Sequence, residues 1–226
     1  CSSDLDLRDG RVVGFEALVR WTQEDGTVSL PDAFLPAADR AGLLPAVDAA
    51  MVRAVCREIA ANPNAGTIAV NITAASLHDP AFVDLIDAAL AMPGMDPARL
   101  HLEVTETGLL EVSPRVAAAM TAVANRGVAW WVDDFGTGFS SISHLRDLPI
   151  EGLKLDRSFT DGVQVRDSED FRLAAGLAGL ATSLGLQTVA EGVESAEQAQ
   201  ILLGQGWQCG QGWLYGKARP SIGETS

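Results

Sequence analysis

The stretch WWVDDFGTGF, Trp130 to Phe139, decides how the chain is read. Apolar residues run straight into the adjacent pair Asp133 and Asp134, then into a loop carrying Gly136 and Gly138. Side chains alternate between the two faces of a strand, so neighbouring aspartates should point apart. Their charges also repel. A hydrophobic strand that ends on such a pair needs something to compensate it.

Working outward, short apolar runs alternate with longer helical patterns. The runs read as strands at Val12–Trp21, Thr67–Ile72, Leu100–Thr105, Val128–Asp133, Gly152–Asp156 and Gln187–Ala190, with a last one near Gly212–Tyr215. Helix signals fall between them. Asp79-Pro80 opens one helix and Pro93-Gly94 follows it; Ser113-Pro114 opens the next and Gly127 closes it. Ser195 with Gln198 reads as a capping box. Alanine-rich helices are expected around Ala46–Asn62 and Ser168–Leu184. This rhythm gives a mostly parallel sheet covered by helices. Its length fits a closed TIM-like (β/α)8 barrel, with a doubly wound open sheet as the alternative. The open sheet usually carries a glycine-rich phosphate turn after its first strand, and neither GxGxxG nor a Walker sequence occurs here. No linker or repeat divides the chain, so residues 1–226 read as one domain.

Composition narrows the function. A formal net charge of −14 repels duplex nucleic acid and anionic membranes on average. Cys1, Cys56 and Cys209 are odd in number and widely spaced, which argues against a disulfide framework and a zinc knuckle and for a cytoplasmic setting. No apolar run approaches the roughly 20 residues that cross a bilayer.

A barrel works at the carboxyl ends of its strands. There the sequence delivers Glu16 and Arg20, Asn71, Glu103 and Glu106, Asp133 and Asp134, Lys154 and Asp156, Glu191 and Glu194, and Gln211. Taken singly, each reads as a solvent-facing, capping or loop residue, and Lys154 as a snorkelling lysine. Taken together, so many charges after apolar runs need a compensating cation. The all-oxygen set Glu16, Asn71, Glu103, Asp133, Asp134 and Glu191 favours Mg²⁺ or Mn²⁺ over zinc. Two such ions sharing one carboxylate would bind a phosphodiester and activate water. Lys154 beside them would orient that water and offset phosphate charge.

The motifs EALVRW, VNITAASL, LEVTET, VDDFGTGFSS, LKLDRSF, VAEGVES and QGWLYGK, spanning about residues 7–220, resemble those of the EAL family of bacterial cyclic di-GMP phosphodiesterases. The resemblance implies a TIM-like barrel with one antiparallel strand, two Mg²⁺ or Mn²⁺ ions per site, and hydrolysis of cyclic di-GMP to linear 5′-pGpG. Ca²⁺ is expected to be inhibitory. By motif, Glu16, Asn71, Glu103 and Asp133 bind one metal, and Asp134 belongs with the second, to which Asp133 bridges. Glu191 serves as general base or ligand of the second metal. Lys154 positions the water. Arg20, Leu18, Asp156 and Gln211 contact substrate, while Glu106 and Glu194 brace the loop after DDFG. Thr73 replaces the usual serine and Phe139 the usual tyrosine. The start differs more: members usually begin with a strand like YQPI, and CSSDLDLRDG implies that this N-terminal strand is missing or altered. A homodimer, regulatory or sensory domains outside this segment, and a role in biofilm and motility signalling belong to the same resemblance. The alternative is a catalytically inactive EAL domain acting as a cyclic di-GMP receptor or protein-interaction module.

Overall fold

The computed structural model describes residues 1–137 and 142–216. Gly138, Phe139 and Lys217 lie outside the described residues. The strands are β1 (Ser2–Asp6), β2 (Val12–Ala17), β3 (Trp21–Thr22), β4 (Val28–Ser29), β5 (Thr67–Asn71), β6 (Leu100–Thr105), β7 (Ala129–Phe135), β8 (Ile150–Leu155), β9 (Gln187–Ala190) and β10 (Cys209–Gly210). The helices are α1 (Pro31–Arg40), α2 (Leu44–Ala61), α3 (Ala74–Leu77), α4 (Phe82–Leu90), α5 (Pro114–Ala124), α6 (Ile142–Asp147), α7 (Arg157–Asp161), α8 (Glu169–Leu184) and α9 (Ala196–Gln205).

The main sheet closes into a barrel in the order β1-β10-β9-β8-β7-β6-β5-β2, and β3 and β4 form a separate hairpin. Neighbours are parallel except at β1, which runs antiparallel to both β2 and β10. The N-terminal strand is therefore present, with Leu5 opposite Gly210 and Ser2 opposite Glu16. Its polar sequence, SSDLD, hides it from a search for apolar runs. The last strand is Cys209–Gly210, not the expected Gly212–Tyr215, where a short 3₁₀ turn at Trp213–Tyr215 follows instead. Apolar WLY looks like a strand, but Trp213 projects into solvent and the pairing to β9 is made by Cys209 and Gly210. The second strand ends at Ala17, short of Trp21, which belongs to the hairpin.

Strand alternation sorts the core into two parts. Ile68, Val70, Leu100, Leu102, Val104, Trp130, Val132, Leu153 and Leu155 join the large cluster shared with the helices. There Trp130 packs on Phe82 and donates its indole N–H to Met120 O at 3.0 Å. The opposite side chains face the barrel lumen, where Ala129, Trp131 and Val189 form a small apolar cluster with Cys209. Trp131 is 6% exposed and lies against Gly152. A Cβ at 152 would sit 2.6 Å from three of the ring atoms, so glycine is what lets the indole fill the lumen.

The helices end as the sequence signals. Ser113, Ser168 and Ser195 each accept a backbone N–H in the first turn of α5, α8 and α9, and Ser195 with Gln198 completes the capping box. Gly185 and Gly206 close α8 and α9 in the left-handed region that glycine adopts without strain. The Arg99 guanidinium donates to Ile59 O, Asn62 O and Gly66 O, tying the last turn of α2 and the loop after it to the start of β6.

Candidate active site

The carboxyl ends of the parallel strands bring together most of the residues expected there. Glu16 is on β2, Asn71 on β5, Glu103 on β6, Asp133 and Asp134 on β7, and Lys154 on β8. Glu191 follows β9 and Gln211 follows β10. Lys154 is the hub. It is 1% exposed, so it does not snorkel. Its ammonium lies 2.5 Å from Glu191 Oε1, 3.2 Å from Glu16 Oε2, 3.3 Å from Glu103 Oε2 and 3.5 Å from Asp133 Oδ1. Burial by itself would lower the lysine, but the carboxylates of Glu103, Glu16, Glu191 and Asp133 hold it well above its ordinary value. It is an ammonium in the folded protein.

The aspartate pair departs from strand alternation. Asp134 has φ 54°, in the left-handed region, and the β7–β8 register shifts between Val132 and Phe135. That turn swings the Asp134 carboxylate back toward the site. Oxygens of Asp133, Asp134 and Glu191 can meet within 4.8 Å of one another, and so can those of Glu16, Glu103 and Asp133. Asp133 is common to both groups.

One ammonium does not balance this many carboxylates. Burial raises Glu103 well above the carboxylate range despite Lys154. Burial pushes Glu191 to about 7, and burial with the nearby Asp133 charge pushes Asp134 to about 6. Glu16 is held low: burial works against it, but Lys154, Gln211 and Asn71 outweigh burial. A divalent cation would relieve the surplus, and the donors are all oxygen, the set that hard cations take. Asn71 donates Nδ2 to Glu16 Oε1 at 2.9 Å; its amide oxygen is the atom a cation would use.

The site opens into a mouth of roughly 350 Å³ lined by Leu18, Arg20, Arg157, Glu191, Gln211 and Trp213, among others. Arg20 is exposed there. Asp156 is half-buried at the start of α7, where it accepts from Ser158 N at 2.9 Å, and its charge acts on Asp134. Glu106 is buried, and its Oε2 accepts the Gly136 N–H at 2.9 Å, on the loop after β7. Glu194 pairs with Arg157 at 2.8 Å, and Arg157 lies over the Trp213 ring. Part of the loop that Glu194 was expected to brace lies outside the described residues.

Two positions escaped the sequence reading. Asp48, buried on α2, accepts from Thr73 N, Thr73 Oγ1 and Ser76 Oγ at 2.8, 2.7 and 2.6 Å, and so anchors the turn that follows Asn71. Its spacing from Val52, Val55, Cys56 and Ile59 puts it on the buried stripe of its helix, a legible signal. Asp4 on β1 accepts from Gln211 Nε2 at 3.1 Å. No pattern in SSDLD announces it.

Fold and site together define a closed α/β barrel with one reversed strand and a lysine-centred acidic site suited to divalent cations. The chain belongs to the EAL domain family, whose model matches residues 4–218. A Caulobacter vibrioides relative described as an uncharacterized signaling protein is 38% identical over 94% of this chain and 26% of its own length. The cyclic di-GMP phosphodiesterase NbdA of Pseudomonas aeruginosa is 34% identical over 96% of this chain and 28% of its own. The chain thus spans about a quarter of these relatives. A solved structure, PaMucR phosphodiesterase in a cyclic di-GMP complex, superposes with a TM-score of 0.89 at 31% identity, covering 96% of this chain and 89% of that one.

Proposed function

We propose that this domain is a metal-dependent phosphodiesterase that hydrolyses cyclic di-GMP to linear 5′-pGpG. The observation that carries the reading is the buried cluster in which Lys154 meets Glu16, Glu103, Asp133 and Glu191 while Asp133 belongs to two cation-sized oxygen groups. The similarity to NbdA and to PaMucR supports the substrate.

Glu16, Asn71, Glu103 and Asp133 would hold one Mg²⁺ or Mn²⁺, and Asp133, Asp134 and Glu191 the other. When bound, such a pair supplies Lewis-acid polarisation of the phosphodiester and a more acidic water. The protein residues do the rest. Glu191 reaches both the cluster and the mouth, where its carboxylate can take the proton of an attacking water. Lys154 Nζ fixes the Glu191 carboxylate and adds positive charge beside the reacting phosphate. Arg20 faces a phosphate at the mouth, with Leu18, Asp156 and Gln211 as the other substrate contacts. Glu106 holds the start of the loop after β7 through Gly136.

A homodimer, sensory or cyclase domains on the same polypeptide and work in the cytoplasm are part of the same proposal; the chain's span of about a quarter of its longer relatives leaves room for such domains. Among the described residues, no helix is long and apolar enough to cross a membrane.

The test is chromatography of cyclic di-GMP incubated with the folded domain. Mg²⁺ or Mn²⁺ should yield pGpG, and Ca²⁺ should yield little because its looser shell misplaces the water. Glu191→Gln should lower turnover by about 10²–10⁴-fold in a protein that still folds and melts cooperatively. Tight binding with no product would overturn the catalytic reading in favour of a receptor.

A further inference from the structure

Gln211 Nε2 is 3.1 Å from Asp4 Oδ1 and 3.1 Å from Glu16 Oε2. Two carboxylates can only be met by the nitrogen end of the amide, whose two N–H donors are then both committed. The group left to Gln211 is its carbonyl oxygen, and Gln211 lines the mouth. Glu16 alone would hold the amide poorly, because its oxygens already receive Lys154 Nζ at 3.2 Å and Asn71 Nδ2 at 2.9 Å. Asp4 is the second anchor. The neighbouring strand makes room for it: Gly14 is its partner in register, and a Cβ there would lie 3.2 Å from Asp4 Oδ2 and 2.7 Å from Thr67 Oγ1.

We infer that Asp4 is a positioning residue: it fixes the Gln211 amide so that the mouth offers a hydrogen-bond acceptor and favours a ligand with an N–H or O–H donor at that point. A guanine edge and a ribose 2′-hydroxyl both carry such donors. The ligand half of this inference rests on the reading of the mouth as a cyclic di-GMP site; the positioning half does not. Asp4→Val keeps a strand-forming residue but removes the acceptor. Asp4→Asn keeps an acceptor, and Asp4→Ala is the second apolar variant should valine disturb folding.

The first readout needs no ligand. In ¹⁵N NMR of the full chain, the Gln211 side-chain amide, assigned by its loss in Gln211→Glu, should show two distinct, slowly exchanging protons. They should persist in Asp4→Asn and exchange rapidly in Asp4→Val or Asp4→Ala. Unchanged exchange in the apolar variants would overturn the positioning role. The second readout is steady-state kinetics. Loss of one oriented hydrogen bond should raise KM for cyclic di-GMP by about 10-fold with kcat within about 2-fold, and Asp4→Asn should recover most of it. An unchanged KM, or a fall in kcat alone, would remove the ligand half. A wild-type chain that ignores cyclic di-GMP while the NMR result holds would sink the substrate reading and leave Asp4 in its role.

Discussion

At the residue scale, Lys154 is where charge, burial and chemistry meet. Removing one partner from a buried ionic cluster leaves the others uncompensated, at a cost of about 3–5 kcal/mol. Lys154→Met should therefore lose roughly that much stability in urea titrations with chelator present. Divalent metal should restore part of it, because a cation substitutes for the missing ammonium. Equal stability of the variant and wild type without metal would contradict the charge accounting. His101 makes a pH-dependent claim further down the lumen. It stacks on Trp131 with centroids 5.3 Å apart, and burial lowers its pKa from 6.5 to about 4. The unfolded chain takes up this proton below about pH 6.5 and the folded chain does not until about pH 4. The stability it contributes is thus complete above pH 6.5 and lost as pH falls through that window. The loss should be on the order of 3 kcal/mol, measured as the difference between wild type and His101→Phe. Asp4 and Glu103 share its cavity and titrate in both proteins, so the difference isolates the imidazole.

At the scale of elements, the contact between β7 and β8 turns on one missing methyl group. Gly152→Ala pushes a Cβ against the Trp131 ring and should destabilise by about 1–3 kcal/mol in urea unfolding. A smaller ring at 131, in the pair Gly152→Ala with Trp131→Phe, should recover part of the loss; additive losses would show that the strain lies elsewhere. The elements also show what was legible. Strands that end an apolar run on a carboxylate, β6 through β9, were readable because their outward faces pack on helices and leave a hydrophobic trace. Helix α5 was readable from Ser113-Pro114 and Gly127, α9 from the Ser195 and Gln198 capping box, and α8 from its alanine-rich run. β1 and β10 were not. Each pairs through its backbone and offers few apolar side chains, and β10 has only two residues. Asp134 was half-legible: its sequence showed the conflict with alternation, but only the backbone turn at φ 54° shows how the conflict is resolved. Asp4 was hidden because its role comes from a partner more than 200 positions away.

At the scale of the molecule, the acidic site carries a cost that a bound divalent cation would offset. At about a hundredfold excess over Kd, a ligand that binds only the folded state adds about 2.7 kcal/mol. For a chain of this size that corresponds to a melting temperature raised by about 5–10 °C. Mg²⁺ or Mn²⁺ should give such a shift, read by differential scanning fluorimetry, and Asp133→Asn should lose most of it because Asp133 belongs to both oxygen groups. A shift of the same size in Asp133→Asn would place the ions elsewhere. The reversed direction of β1 has a different consequence. In an all-parallel barrel the chain enters at the floor, far from the chemistry. Here Ser2 lies at the rim of the mouth, beside Leu18 and Gln211. Any segment joined ahead of Cys1 is therefore tethered at the doorway of the site.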